Sequence, residues 1–263
     1  MYYANYHTHT PRCGHAQGTE KEMAEAALKT GISILGFADH SPQVLENGDG
    51  GISGMRMKVW EVPGYVDAVR KVGEEYSGRL KVLCGFEAEY LPHIFDGLYG
   101  ICRDFDVDYM IMGQHCLPYP DGLTYEFVGF GKPIHTLRSY VRTVSEGLET
   151  GCFSYLAHPD MYHADGIGDD EYDAEMSCLC ETARDLDIPL EVNLLGYVTN
   201  RHYPSERFFR IAGRVGNTLV VGVDAHQPEM FNRDYIDRTC EFARSFGLKV
   251  TDEINLLHPW KEK

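Results

Sequence analysis

The segment ISILGFADH, at residues 32–40, decides the fold prediction because it is a short apolar run that ends in an acid and a histidine. An apolar run of this length is typical of a strand that is buried on both faces of a parallel sheet. The preceding segment TEKE, at residues 19–22, has the capping-box pattern that begins a helix, and Gly31 can end that helix. The segment therefore predicts a helix followed by a buried strand of an α/β fold.

The same alternation of apolar runs and amphipathic stretches continues along the chain. We predict seven strands, at residues 2–6, 32–38, 80–86, 109–112, 153–157, 189–193 and 219–223. Further helices are predicted at residues 65–76, 93–105, 136–150, 170–187, 205–215 and 230–246. Helical crossovers between successive strands favour a parallel sheet. We therefore expect one domain, residues 1–263, built on a closed or nearly closed parallel barrel.

Composition excludes several classes of protein. The chain has 24 Lys and Arg against 40 Asp and Glu, and its net charge of −16 argues against a nucleic-acid partner. No apolar run approaches the about 20 residues that a membrane-spanning helix needs. The N-terminal sequence MYYANYHTHT also lacks the basic and apolar regions of a secretory signal. We expect a cytoplasmic protein with reduced cysteines and no membrane partner.

Polar residues follow the apolar runs at the points where the strands end. They include His7, His9, Asp39, His40, Glu87, Glu89, His115, His158, Asn193, Asp224 and His226, with His15 in the loop after the first strand. In a parallel barrel these strand ends form one rim, and the two-residue period of a strand places His7 and His9 on the same side. Imidazole and carboxylate are ligands that suit zinc, manganese and iron. The sequence therefore predicts a metal site.

The ordered motifs resemble those of the PHP (polymerase and histidinol phosphatase) family. They are HTHT at 7–10, CGH at 13–15, ADH at 38–40, GFE at 85–87, His115, HPD at 158–160 and GVDAH at 222–226. The sequence is most similar to the stand-alone histidinol-phosphate phosphatases of that family. The resemblance implies a distorted (β/α)7 TIM-like barrel with three divalent metal ions, Zn, Mn or Fe, at the C-terminal rim of the strands.

The resemblance also assigns ligands, and the chemistry of adjacent divalent metals then predicts a mechanism. The first metal would be held by His7, His9, Glu87 and Asp224, the second by Glu87, His115 and His158, and the third by His15, His40 and His226. A hydroxide that bridges the first two metals would attack phosphorus in line. Asp224 or His226 would pass a proton to the leaving alkoxide. We expect hydrolysis of L-histidinol phosphate to L-histidinol and phosphate.

The expected substrate contacts depart from the pattern of related phosphatases. Gln114 precedes His115 where relatives have a Gly-Ser-x-His motif, and no basic residue follows Asp160. Arg201 is the first choice for a phosphate clamp and Arg12 the second, because guanidinium groups bind phosphate in a bidentate manner. Further candidates for substrate contact are Gln114 and His202, and a cationic leaving group could contact Glu89, Asp160, Asp165, Tyr119, Tyr162 and Tyr197.

Alternatives to a histidinol phosphatase stay open from the sequence. The enzyme could act on another small phosphate ester, or it could be an amidohydrolase-type hydrolase, although that class commonly has a bridging lysine where this chain has Glu87. A nuclease is disfavoured by the acidic charge, and a non-catalytic zinc protein by the large number of ligands. The partner we expect is a small phosphorylated metabolite. The sequence leaves the native metal and the oligomeric state open.

Overall fold

The computed structural model describes residues 3–45, 54–118, 125–129 and 134–261. The strands in these residues are β1 (Ala4–Asn5), β2 (Ile34–His40), β3 (Lys81–Ala88), β4 (Tyr109–Met112), β5 (Cys116–Pro118), β6 (Tyr125–Phe127), β7 (Leu190–Asn193), β8 (Thr218–Gly222) and β9 (Lys249–Thr251). The α-helices are α1 (Glu20–Lys29), α2 (Val62–Glu75), α3 (Phe95–Asp104), α4 (Ile134–Glu149), α5 (Asp169–Asp185), α6 (Leu194–Val198), α7 (Glu206–Val215) and α8 (Arg233–Arg244). Strands and helices alternate as the sequence predicts.

The parallel strands curl into a distorted barrel. Strands β1 to β4 are hydrogen-bonded in chain order, and β7, β8 and β9 form a second parallel run. Leu156 pairs in parallel with both Met112 of β4 and Leu190 of β7, and so joins the two runs. On the other side, Thr8 pairs in parallel with Ala225 beyond β8. The predicted α/β barrel is confirmed.

The fifth predicted strand, at residues 153–157, is the least regular one. Leu156 is its one bridge residue among those described, yet neighbouring backbone groups also take part in the sheet. The Ser154 N–H donates to the Met110 carbonyl at 2.8 Å, and the Leu156 N–H donates to the Pro189 carbonyl at 3.0 Å. This short segment therefore fills the place that the sequence predicted for it.

Two buried clusters explain why the apolar runs are strands. Ala4, Tyr6, Ala38, Leu83, Tyr109, Ile111, Tyr155, Ala157 and Val220 form the inner cluster. A larger cluster lies between the sheet and the surrounding helices. Alternate residues of a strand point to opposite faces, so strands covered on both faces read as continuous apolar runs. The capping box of Thr19 and Glu22 is formed at the start of α1, as predicted.

Some elements carry no strong sequence signal. Strands β5 and β6 form an antiparallel hairpin beside the barrel, and β9 extends the sheet next to β8. The chain after β9 packs at the N-terminal end of the strands, where the Trp260 indole N–H donates to the Val107 carbonyl at 2.8 Å.

In the described residues, no helix combines the length and the apolar character that crossing a membrane requires.

Candidate metal centre

Glu87 lies at the centre of a cluster of imidazoles on the C-terminal rim. It is the penultimate residue of β3 and is 1% exposed. Its Oε1 is 2.8 Å from His158 Nε2 and 3.4 Å from His115 Nε2. Its Oε2 lies 3.0–3.5 Å from a nitrogen of three further imidazoles, those of His40, His7 and His9. One carboxylate thus faces five histidines that come from four segments of the chain.

Asp224 is the second carboxylate of the cluster. Its Oδ1 is 3.1 Å from His9 Nε2 and 3.3 Å from His226 Nδ1. The His226 ring stacks on the His9 ring with centroids 4.1 Å apart, and its Nε2 is 3.0 Å from His15 Nε2. Asp224 therefore connects the buried part of the cluster to its more exposed part.

The structure brings all nine sequence-predicted ligands together. Ligand atoms lie within 4.8 Å of one another in the groups His7–His9–Asp224, His7–Glu87–His158 and His15–His40–His226. His40 also belongs to a group with His9 and Glu87, so it lies between the predicted first and third subsites. His115 approaches the cluster through its contact with Glu87.

Unpaired buried atoms indicate what this cluster can bind. Among the described residues, His7 Nε2, His9 Nε2 and Glu87 Oε2 are buried side-chain atoms without a hydrogen-bond partner. Buried polar groups are normally paired, because an unpaired one costs about 1–3 kcal/mol. Three such atoms at ligand spacing, on residue types that coordinate divalent cations, fit a metal ion.

The backbone at two of the candidate ligands is also unusual. His158 has a φ of 30° and Asp224 a φ of 54°, although neither residue is glycine. Such conformations cost free energy and occur frequently at functional sites. Gly113 and Gly222 allow side chains to approach the sheet closely, because a Cβ at Gly113 would overlap Glu87 and one at Gly222 would overlap Glu191. The backbone is therefore shaped around the carboxylates of the site.

Three further buried carboxylates contact the other ring nitrogen, Nδ1, of candidate ligands. The pairs are Glu191 with His7 at 2.8 Å, Asp39 with His9 at 3.4 Å and Glu89 with His115 at 3.4 Å. Sequence reasoning gave Glu191 no role. Its position did carry a signal, because in the strand LEVN the residues Glu191 and Asn193 share one face while Leu190 and Val192 occupy the other.

The electrostatics of the cluster follow from burial and from these contacts. Burial alone would raise the pKa of Glu87 and of Asp224, but the neighbouring imidazoles outweigh it and hold both pKa values well below the usual range. Burial would lower the pKa of His7, but the carboxylates of Glu191, Asp224 and Glu87 raise it to about 10. Burial lowers the pKa of His40 to about 4. The metal-free cluster thus holds ionised carboxylates and a mixture of charged and neutral imidazoles.

A cavity of about 300 Å³ opens above the cluster. Its lining combines candidate ligands with Met55, Phe127, Met161, Leu195, Arg201 and Tyr203. Arg201 Nη1 donates a hydrogen bond of 2.6 Å to the Tyr203 hydroxyl, which orients the guanidinium at the mouth. The predicted phosphate clamp therefore lies where it can reach a small molecule that is bound over the cluster.

The other predicted substrate contacts lie elsewhere. Arg12 forms an ion pair with Glu20. The Gln114 side chain is buried and donates to the Cys116 carbonyl at 2.6 Å. The His202 ring contacts a backbone carbonyl at 2.7 Å. In the described part of the chain, none of Arg12, Gln114 and His202 is among the residues that line the cavity.

Within the described ranges, the carboxylates expected to contact a cationic leaving group are not among the residues that line the cavity either. Glu89 is bound by Arg56 at 2.7 and 2.9 Å, and Asp160 accepts the Ser205 N–H at 2.5 Å. Asp165 is 82% exposed. Tyr162 packs on Tyr140 and Tyr197 packs on Phe242, whereas Tyr119 lies outside the described residues. A long-range pair such as Glu89 with Arg56 has no signature in the sequence.

Comparison with known proteins agrees with the fold and the site. The family model for the PHP domain matches residues 5–194. A Deinococcus radiodurans protein named "Probable histidinol-phosphatase" is 30% identical over 258 residues, which cover 96% of this chain and 97% of that protein. An Acetivibrio thermocellus protein named "Probable phosphatase" is 24% identical over 94% of this chain and 92% of its own length.

A solved structure shares the fold over almost the whole chain. It is the histidinol phosphate phosphatase of Lactococcus lactis subsp. lactis, in complex with zinc, L-histidinol and phosphate. The two folds agree with a TM-score of 0.72 at 15% sequence identity, over 97% of this chain and 99% of that chain. This chain therefore belongs to the PHP family, among its histidinol-phosphatase-like enzymes.

Proposed function

We propose that this enzyme is a metal-dependent phosphomonoesterase whose leading substrate is L-histidinol phosphate, which it hydrolyses to L-histidinol and phosphate. The observation that carries the proposal is the cluster of nine metal-competent side chains at the base of a small cavity with an arginine at its mouth. Metal ligands alone would suit many hydrolases. An arginine beside them adds a group that recognises a phosphoryl oxygen.

The donor set fits three divalent ions, which we expect to be zinc, manganese or iron. His7, His9, Glu87 and Asp224 would hold the first, Glu87, His115 and His158 the second, and His15, His40 and His226 the third. Bound divalent ions supply a water of lowered pKa and neutralise charge on phosphoryl oxygens. Glu87 is suited to bridging because its two oxygens face different histidines.

The protein's own side chains have separate tasks in this proposal. Glu87 and Asp224 stay ionised, since their pKa values lie well below the usual range. The Arg201 guanidinium, held by Tyr203, binds non-bridging phosphoryl oxygens. Asp224 Oδ1 and His226 Nδ1, which lie 3.3 Å apart, would accept the proton that the attacking water releases and pass it to the leaving oxygen. Met161 and Leu195 give the cavity an apolar wall beside these polar groups.

The choice of histidinol phosphate is supported by relatives of this chain. One is named "Probable histidinol-phosphatase", and another was solved with zinc, L-histidinol and phosphate bound. The net charge of −16 also disfavours polyanionic substrates and nucleic acid. All eight cysteines are free thiols, which supports the further proposal of a cytoplasmic location.

A second candidate substrate class is a phosphate ester of a more apolar alcohol. Met55, Phe127, Met161 and Leu195 line the cavity, whereas the carboxylates Glu89 and Asp160, which could attract a cationic alcohol, are not among its lining residues in the described part of the chain. Apolar walls bind an apolar leaving group by removing its surface from water.

Phosphate release from a panel of metabolite monoesters tests both candidates. We expect protein reconstituted with metal to hydrolyse histidinol phosphate with the highest kcat/KM and to be inactive on amides and lactones. The matched control is Glu87→Gln, which keeps the size of the side chain and removes its charge. If another monoester is cleaved at least about a hundredfold more efficiently, the histidinol assignment fails and the phosphatase assignment stands. Turnover of amides or lactones in place of esters would overturn the phosphatase assignment itself.

A further inference from the structure

Glu191 is a buried carboxylate that the proposed chemistry leaves without a task. It is 0% exposed, and all its partners are parts of the site or of the barrel interior. Its partners are His7 Nδ1 at 2.8 Å, the Tyr155 hydroxyl at 3.2 Å, the His158 N–H at 2.9 Å and the Asn193 side-chain amide at 2.9 Å. These four hydrogen bonds hold the buried carboxylate of Glu191 in one orientation.

We propose that Glu191 is a positioning residue that serves two of the metal subsites at once. The inference rests on the proposed function, because it takes His7 and His158 as ligands. Glu191 Oε1 contacts His7 Nδ1, and Glu191 Oε2 contacts the His158 N–H. Each carboxylate oxygen therefore controls a different candidate ligand.

The contact with His7 selects a tautomer. A carboxylate oxygen at 2.8 Å requires a proton on Nδ1, so the lone pair of the neutral ring lies on Nε2. His7 Nε2 is the atom that faces Glu87 at 3.4 Å and Asp224 at 3.5 Å. Glu191 thus directs the ligating nitrogen of His7 into the cluster, and a charged acceptor makes that nitrogen a stronger ligand.

The contact with His158 acts through the backbone. The φ of 30° at His158 is an unfavourable conformation for a residue with a Cβ, and a hydrogen bond from its N–H to a carboxylate offsets part of that cost. The conformation places His158 Nε2 at 2.8 Å from Glu87 Oε1. Glu191 therefore fixes the direction in which the second ligand leaves the strand.

Two neighbouring residues maintain this arrangement. The Asn193 amide donates to Glu191 Oε2 at 2.9 Å and to Asp224 Oδ2 at 3.1 Å, and so connects Glu191 to a third candidate ligand. At Gly222 a Cβ would overlap Glu191 Oε1, so the glycine is needed for the carboxylate to occupy its position. Asp39 is the comparable carboxylate on β2, but its contact with the His9 imidazole is longer, at 3.4 Å, and the same oxygen, Oδ1, also accepts the His40 N–H at 2.9 Å. An asparagine keeps that oxygen, so Asp39→Asn is a milder change than Glu191→Gln.

Nuclear magnetic resonance of the unmodified protein tests the tautomer directly. In zinc-loaded protein labelled with ¹⁵N-histidine, we expect His7 to carry its proton on Nδ1, with a hydrogen-bonded N–H resonance that is lost in His7→Gln. A His7 ring with its proton on Nε2 would overturn the inference. This measurement needs no change at Glu191, so it remains decisive if the Glu191 variants fold poorly.

Zinc affinity of variants tests the double task. In Glu191→Gln the amide oxygen can accept a hydrogen bond from either His7 Nδ1–H or the His158 N–H, but not from both. The amide NH₂ group then faces the other donor, and the two donors repel each other. We expect zinc affinity, measured by competition with a chromophoric chelator, to fall by about 10–100-fold, and to fall more than in the control Asp39→Asn. The His7 Nδ1–H resonance should shift in Glu191→Gln and stay in place in Asp39→Asn.

Zinc affinity within about threefold of the unmodified protein, with an unchanged His7 resonance, would contradict the role of Glu191. The proposed function fails independently, if zinc-loaded unmodified protein hydrolyses no phosphate ester while the His7 tautomer is as expected.

Discussion

Replacement of Arg201 by alanine tests how the cavity binds phosphate. Arg201 lies at the mouth of the cavity, and its Nη1 donates to the Tyr203 hydroxyl at 2.6 Å. A guanidinium has five N–H donors, so four remain for the substrate after this hydrogen bond. Because Arg201 is exposed and its hydrogen bond goes to Tyr203 rather than to a candidate ligand, the substitution should leave metal content unchanged.

The size of the effect follows from the hydrogen bonds that the guanidinium donates to phosphoryl oxygens. Hydrogen bonds to charged groups contribute about 1.5–3 kcal/mol each, and removal of one donor to a developing oxyanion costs about 2.7–4 kcal/mol. We therefore expect Arg201→Ala to lose about 2–4 kcal/mol of transition-state stabilisation, which is about 30-fold to 900-fold in kcat/KM. Tyr203→Phe removes the group that orients Arg201, and we expect a decrease of about 10-fold or less.

Steady-state phosphate release with elemental analysis of the same samples provides the assay. Arg184→Ala is a matched control, since Arg184 is an exposed arginine on α5 that pairs with Asp185. It should change neither kcat/KM nor metal content. A value of kcat/KM for Arg201→Ala within about threefold of the unmodified enzyme would refute the assignment of Arg201 as phosphate clamp, and loss of metal would show that it acts on the metal centre instead.

Three further predictions concern the metal centre and the barrel. Glu87→Gln should lower metal content more than substitution of His115 does, because the carboxylate oxygens of Glu87 face five imidazoles. It should also lower kcat/KM by more than about 100-fold. Full metal content of Glu87→Gln by elemental analysis would contradict this prediction. The pKa of about 10 for His7 means that its ring is protonated in the metal-free protein at neutral pH, so zinc must displace a proton and bind more tightly as pH rises. Calorimetry in buffers of different ionisation enthalpy should detect proton release, and an affinity that is constant between about pH 6 and pH 9 would refute it. Trp260→Ala should cost about 3–5 kcal/mol in urea unfolding without changing kcat/KM, because the buried indole packs edge-on against Tyr99 and donates a hydrogen bond to the Val107 carbonyl, far from the rim. A cost under about 1 kcal/mol would show that the tail contributes little.

Much of the fold could be predicted because, in a parallel barrel, a continuous apolar run forms a strand that is buried on both faces. The run at 109–112 is β4 with the predicted bounds, and the segment at 32–38 lies within two residues of β2. Strand β9 (Lys249–Thr251) could not be predicted, since three partly exposed residues at the edge of a sheet need no apolar pattern. The same holds for the hairpin of β5 and β6, which is stabilised by pairing rather than by burial of a continuous run.

The candidate ligands could be predicted because residue type and position at a strand end, which can both be read from a short segment of sequence, are enough to identify them. Histidine and carboxylate at strand ends must meet at one rim, and His7 and His9 lie with ring centroids 5.1 Å apart. The residues that support or surround the ligands depend on pairings between distant parts of the chain, such as Glu191 with His7, which are 184 positions apart. The placement of Arg12 against Glu20 likewise depends on where α1 begins relative to the rim, and no local pattern shows that.

Metal content tests the central claim most directly. Protein purified without chelator and reconstituted with zinc, manganese or iron should contain more than one equivalent of metal per chain by elemental analysis, since three groups of ligands converge on Glu87 and Asp224. Glu87→Gln, treated in parallel, should contain less. Less than about half an equivalent in the reconstituted unmodified protein would contradict a multinuclear metal centre, because the buried ligand atoms His7 Nε2, His9 Nε2 and Glu87 Oε2 would then have neither a metal nor a hydrogen-bond partner.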